Sequence, residues 1–118
     1  MKITVRVTSY FQKQAKPLLK KYPSLREELK EFENKLLENP RLGISLGKSV
    51  YKIRLKVKSK GRGKRGGLRI ISLVDEVIIG YVESDDKEIT VYLLSIYDKS
   101  TTDTLNDRDL KTLISQVV

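Results

Sequence analysis

Between Tyr51 and Arg69 the chain gathers side chains able to hold an anion. Tyr51, Ile53, Leu55 and Val57 alternate with Lys52, Arg54, Lys56 and Lys58, so a period of two sends apolar groups to one strand face and cations to the other. Like charges along one sheet face repel each other unless an anion lies against them, which marks this face as a binding or catalytic surface. The next segment, 59–67, places Lys60, Arg62, Lys64 and Arg65 among Gly61, Gly63, Gly66 and Gly67. A second strand, 68–74, then returns Arg69 alongside the first. Eleven Lys or Arg residues fall between positions 39 and 74 without a single Asp or Glu, while the rest of the chain is slightly acidic. The net charge of +9 is therefore local, and its natural partner is a polyanion.

Missing residue types narrow the chemistry. The chain has no Cys, which excludes disulfides, thiolate zinc sites and cysteine nucleophiles, and no His, the commonest general acid/base and metal ligand. Catalysis would have to rest on Lys, Arg, Tyr or carboxylates. Asp85-Asp86 is too sparse for a metal site, and KGRGKRGG does not fit the G-x-x-x-x-G-K-[ST] phosphate loop, so neither a metal nor a cofactor is expected.

The elements that must position these residues follow from periodicity. With 118 residues the chain is expected to form one domain, 1–118. Lys2 to Thr8 reads as a strand with Ile3, Val5 and Val7 inward. Ser9 is expected to cap a helix over 10–21 with Phe11, Ala15, Leu18, Leu19 and Tyr22 as its buried stripe, kinked or delayed by Pro17. A second helix runs through SLREELKEFENKLLENP: Ser24 and Glu27 suggest a capping box, and Leu25, Leu29, Phe32 and Leu36 recur at helical spacing. Its acidic face, Glu27, Glu28, Glu31 and Glu38, reads as solvated surface. Residues 41–49 read as a connector. Residues 68–74 and 77–82 read as two strands separated by a bend at Asp75-Glu76, or as one long bulged strand, and 88–97 as a central strand. The end of that strand is expected to carry Tyr97, Asp98 and Lys99 out of the sheet, and a last helix capped by Asn106 or Asp107 runs to Ser115. The predicted architecture is α+β: a small twisted, mainly antiparallel sheet with helices on one face and cations on the other. No apolar run approaches the roughly 20 residues of a membrane span, and MKITVRVTSY lacks the apolar block of a signal peptide, so a cytoplasmic location without membrane contact is expected.

The succession of a two-helix hairpin, NPRLG, a KIRL strand, KGRGKRGGLRII and LLSIYDKS resembles the RelE/ParE superfamily of type II toxins, in particular its RelE/HigB-like branch. The resemblance covers nearly the whole chain. It implies a small twisted antiparallel sheet with an N-terminal helical hairpin and a C-terminal helix. It also implies cleavage of mRNA on the ribosome and a cognate antitoxin as partner. By position, Lys52 and Arg54 match the basic pair of the central strand, and Arg69 matches the arginine that contacts the scissile phosphate. Lys99 stands at the basic position past the last strand, and Tyr97 near a strand-end tyrosine of HigB-type toxins. The chain departs from the pattern in lacking His and in having Leu105 near the place of RelE's C-terminal tyrosine.

RNA can be cut without metal when its own 2′-hydroxyl is activated, aligned and helped by neutralisation of the phosphate. Lys52, Arg54 and Arg69 are the candidates for holding and neutralising that phosphate. The ordinary pKa values of Lys and Tyr, about 10.4 and 10, are high for a base at neutral pH, but a dense positive cluster is expected to lower both. Tyr97 or Lys52 is then the candidate base, with Lys99 or Arg54 near the leaving group. Lys56, Lys58, Lys60, Arg62, Lys64 and Arg65 are candidates for contacts to RNA backbone, although solubility alone also accounts for such charges. Two other functions fit the same residues: a ParE-like gyrase inhibitor and a non-catalytic nucleic-acid-binding module.

Overall fold

A computed structural model describes residues 2–60, 67–78, 87–98 and 107–117. Strand β1 (Lys2–Val7) opens the chain, followed by helices α1 (Ser9–Lys21) and α2 (Leu25–Glu38). Strands β2 (Ile44–Gly47), β3 (Val50–Leu55), β4 (Leu68–Ile78) and β5 (Lys87–Tyr97) come next, and helix α3 (Asp107–Ser115) is last. The sheet order is β1-β5-β4-β3-β2, with β1 parallel to β5 and every other pairing antiparallel. The helical hairpin that the resemblance puts at the N-terminus follows β1, the strand that alternation over Lys2 to Thr8 predicts. That order lets β1 reach the far sheet edge beside β5 before the hairpin covers the sheet.

Local sequence accounts for most of these elements. Thr8, rather than Ser9, caps α1: its Oγ1 accepts the Phe11 N–H at 3.3 Å, and the helix runs from Ser9 past Pro17 without the expected delay. Ser24 does not build a box with Glu27. Its backbone is already helical, and its hydroxyl donates instead to Glu28 Oε1 at 2.9 Å. Glu28, expected on a solvated face, is buried and also accepts the Lys58 N–H at 2.7 Å. The reason is position: the first turn of α2 abuts the end of β3, where an unpaired backbone donor needs an acceptor.

The expected connector 41–49 contains β2, which pairs with β3 through a tight turn at Lys48 and Ser49. Both residues have positive φ, 52° and 64°, the geometry of a type I′ hairpin. Lys-Ser is not the usual Asn-Gly signal for that turn, so the strand is hard to read from sequence. Gly43, at φ 107°, is required by a close approach: a Cβ there would lie 2.6 Å from the Lys52 carbonyl oxygen. β4 continues through Asp75 and Glu76, so the single-strand reading holds over Leu68–Ile78. The bulge lies elsewhere and on the partner strand: Ile71 and Ser72 of β4 face Ser95 and Leu93, which leaves Leu94 of β5 as the extra residue.

The sheet carries a core on each face. Phe11, Leu25, Phe32 and Leu36 of the hairpin pack on Ile53, Ile70 and Val91, with Ile3 and Val5 partly buried beside them. Val7, expected inward, is exposed at the end of β1. On the opposite face Val50, Ile71, Leu73, Leu94 and Tyr97 form a second cluster with Leu113 of α3. The expectation that all helices share one face is therefore corrected. Alternation puts Val50 on the same face as Lys52 and Arg54, and Ile71 and Leu73 on the same face as Arg69, so half of the cation face is apolar and α3 covers it. Among the described residues no helix is long and apolar enough to cross a membrane.

Candidate anion-binding site

Three neighbouring strands bring the predicted residues into one row. Arg54 of β3 stands opposite Arg69 of β4, and Arg69 stands opposite Tyr97 of β5. At the usual strand separation the row spans about 10 Å. Lys52 lies two residues from Arg54 on the same face, opposite Ile71. Lys52, Arg54, Arg69 and Tyr97 therefore share the face that α3 leaves partly open.

The row grades from wet to dry. Arg54 is exposed and Lys52 half-buried, whereas Arg69 is 5% and Tyr97 4% exposed. Arg69 Nη1 is buried with no hydrogen-bond partner among the described residues. A desolvated guanidinium N–H without an acceptor is costly, and a second arginine directly opposite adds repulsion. An anion accepting from Arg69 and Arg54 would relieve both, and a phosphoryl group matches the guanidinium fork.

Tyr97 departs from expectation. Burial pushes its phenol above the ordinary value of 10.0, and the nearby Arg69 charge, which pulls the other way, does not outweigh it. The sequence predicts the reverse because it counts neighbouring cations and cannot count desolvation. At neutral pH Tyr97 is an uncharged O–H donor.

The remaining cations are placed less uniformly. β3 ends at Leu55, so Lys56 and Lys58, expected to continue the charged strand face, lie beyond it, both exposed; Lys58 opens a short 3₁₀ turn, Lys58–Lys60. Lys56 and Lys58 line a groove of about 520 Å³ between α2 and the end of β3, together with Lys35, Phe32 and Leu42. Lys60 faces inward, its ammonium 2.8 Å from Asp98 Oδ2. Asp98, expected to leave the sheet with Lys99, is buried, and Tyr22 donates to its Oδ2 at 3.3 Å. No spacing in the sequence links Tyr22, Lys60 and Asp98. Lys99, Arg62, Lys64 and Arg65 lie outside the described residues.

No family model matches the chain. Among solved structures, the E. coli toxin RelE, determined as a double arginine-to-alanine variant in the free state, superposes with a TM-score of 0.54 at 16% identity, over 100% of both chains. That likeness spans every element described above, and the chain accordingly has the RelE fold.

Proposed function

We propose that the chain is the toxin of a type II toxin-antitoxin pair, a metal-independent endoribonuclease that cleaves mRNA on the ribosome in the cytoplasm. One observation carries the reading: Arg54, Arg69 and Tyr97 stand in register on three adjacent strands, and a buried Arg69 N–H has no acceptor among the described residues. The RelE fold supports it. In the proposed reaction the RNA 2′-oxygen attacks phosphorus in line and loses its proton to a base. The bond to the 5′-oxygen breaks and that oxygen takes up a proton, leaving a 2′,3′-cyclic phosphate and a 5′-hydroxyl. Arg54 and Arg69 grip and neutralise the crowded phosphate. Lys52, half-buried beside Arg54, is the base; neutral Tyr97 donates a hydrogen bond to a phosphate oxygen, and Lys99 serves the leaving group. A cognate antitoxin is the proposed protein partner, neutralising the row by covering it or by displacing α3.

The test expresses the chain and its Arg69→Lys and Arg69→Ala variants without antitoxin while RNA ends are mapped, with circular dichroism reporting folding. Cleavage should fall by roughly 100-fold or more in folded Arg69→Ala, because the group it removes acts on transition-state charge. Lys restores charge without the fork, so only partial recovery is expected. Toxicity that survives in folded Arg69→Ala without cleavage would favour gyrase inhibition. Toxin treated with EDTA and then desalted should cut on programmed ribosomes as well as untreated toxin, the ribosomes keeping the Mg²⁺ that holds their subunits together.

A further inference from the structure

β5 outlasts its parallel partner. β1 ends at Val7, opposite Leu93, so among the described residues no strand lies beside the last residues of β5 along that edge. Side chains substitute. Gln14 Oε1 accepts the Ile96 N–H at 3.0 Å and the Ser95 hydroxyl at 2.8 Å. One residue past Tyr97, the 4% exposed Asp98 side chain holds Lys60 Nζ at 2.8 Å and the Tyr22 hydroxyl at 3.3 Å. The Lys60 ammonium also lies 6.0 Å from the Tyr22 ring centre. The turn that carries Lys60 is itself anchored: Ser59 N–H donates to Ser24 Oγ at 2.9 Å, and Lys58 N–H to Glu28. Lys60 immediately precedes the glycine-rich stretch 61–67, and Asp98 immediately follows Tyr97.

We propose that Tyr22, Lys60 and Asp98 are positioning residues: a buried clamp that ties the root of the glycine-rich stretch to the strand end bearing Tyr97, and both to the turn between α1 and α2. A buried ion pair is a poor source of net stability, since a packed apolar pair of similar size commonly serves as well. What the pair supplies that an apolar pair lacks is direction. Lys60 and Tyr22, both bound to its carboxylate, help to fix Asp98, and through it the backbone that carries the Tyr97 ring beside Arg69. Lys60 is thereby reassigned from an RNA contact to an internal counter-ion. The clamp's effect on cleavage rests on the ribonuclease reading; its effect on strand order does not.

The test uses the full chain with the double substitution Lys60→Met/Asp98→Leu, which removes both charges and leaves apolar bulk, and with Asp98→Asn, which keeps the shape and an acceptor for Tyr22. Thermal unfolding, amide hydrogen exchange and cleavage kinetics are read together. The double variant should melt near the parent temperature. Its Ile96 and Tyr97 amides should nevertheless exchange about tenfold faster relative to Val91 in the same strand. Its kcat should fall roughly 10- to 100-fold with KM changed less than about threefold, the signature of impaired alignment rather than impaired binding. Parent-like exchange at Ile96 and Tyr97 in the double variant would overturn the clamp. If the double variant does not fold, the exchange ratio in Asp98→Asn decides by the same criterion. A parent that cuts no RNA would sink the ribonuclease reading and leave the exchange measurement to judge the clamp.

Discussion

Arg69 and Tyr97 show how burial changes what a side chain can do. Both are nearly inaccessible, yet one is a cation with an N–H unmet among the described residues and the other a phenol held neutral by the same dryness. Because the folded phenol titrates above 10.0, the unfolded chain loses that proton first as pH rises. The contribution of neutral Tyr97 to stability is thus fully present below about pH 10 and is lost as pH climbs through the folded value. Tyr97→Phe should flatten the alkaline loss, so denaturant midpoints compared at about pH 9 and about pH 11 should fall less in the variant than in the parent. The cation row itself was legible, since Lys52 and Arg54 announce themselves by alternation and Arg69 by its return on the next strand. The burial of Tyr97 was not, because it depends on Ile71 of the neighbouring strand and Leu113 of α3, both distant from it in the chain.

At the scale of elements, the β2–β3 hairpin sets where the cationic strand begins. Its geometry rests on two positive-φ residues and on Gly43 pressed against the Lys52 carbonyl. Gly43→Ala should destabilise the fold by about 1–3 kcal/mol through backbone strain and the 2.6 Å approach, measured by urea unfolding. Helix α3 is the second control point. Leu113→Ala removes its deepest side chain from the cluster around Val50 and Ile71 and should cost about 2–4 kcal/mol. The same variant should speed amide exchange at Leu73 and Leu94. Among the described residues, periodicity found the three helices and four of the five strands. It missed β2 because a Lys-Ser turn carries none of the usual hairpin chemistry, and it put α3 on the wrong face because local amphipathicity says that a helix packs and not where.

Across the whole molecule, charge is segregated. The hairpin face is built for packing, and the opposite face is shared between α3 and the cations. If the exposed Lys56 and Lys58 track an RNA backbone, Lys56→Ala/Lys58→Ala should weaken single-stranded RNA binding similarly for all sequences. The slope of log affinity against log salt should become shallower by about 0.7 for each phosphate that is no longer neutralised. Lys60, paired with Asp98, should contribute nothing to that slope.

Alternation, helical spacing and the clustering of Lys and Arg are properties of neighbouring residues, so the chain's order determined the α+β plan, the helical hairpin and the convergence of cations on one face without help from distant contacts. The tertiary structure decided which of those cations remain available. It turned Lys60 inward to Asp98, drew Glu28 under the end of β3 and dried the surroundings of Tyr97. Pairing and desolvation are set by residues far apart in the chain, which is why composition foresaw a lowered phenol and the folded molecule holds a raised one.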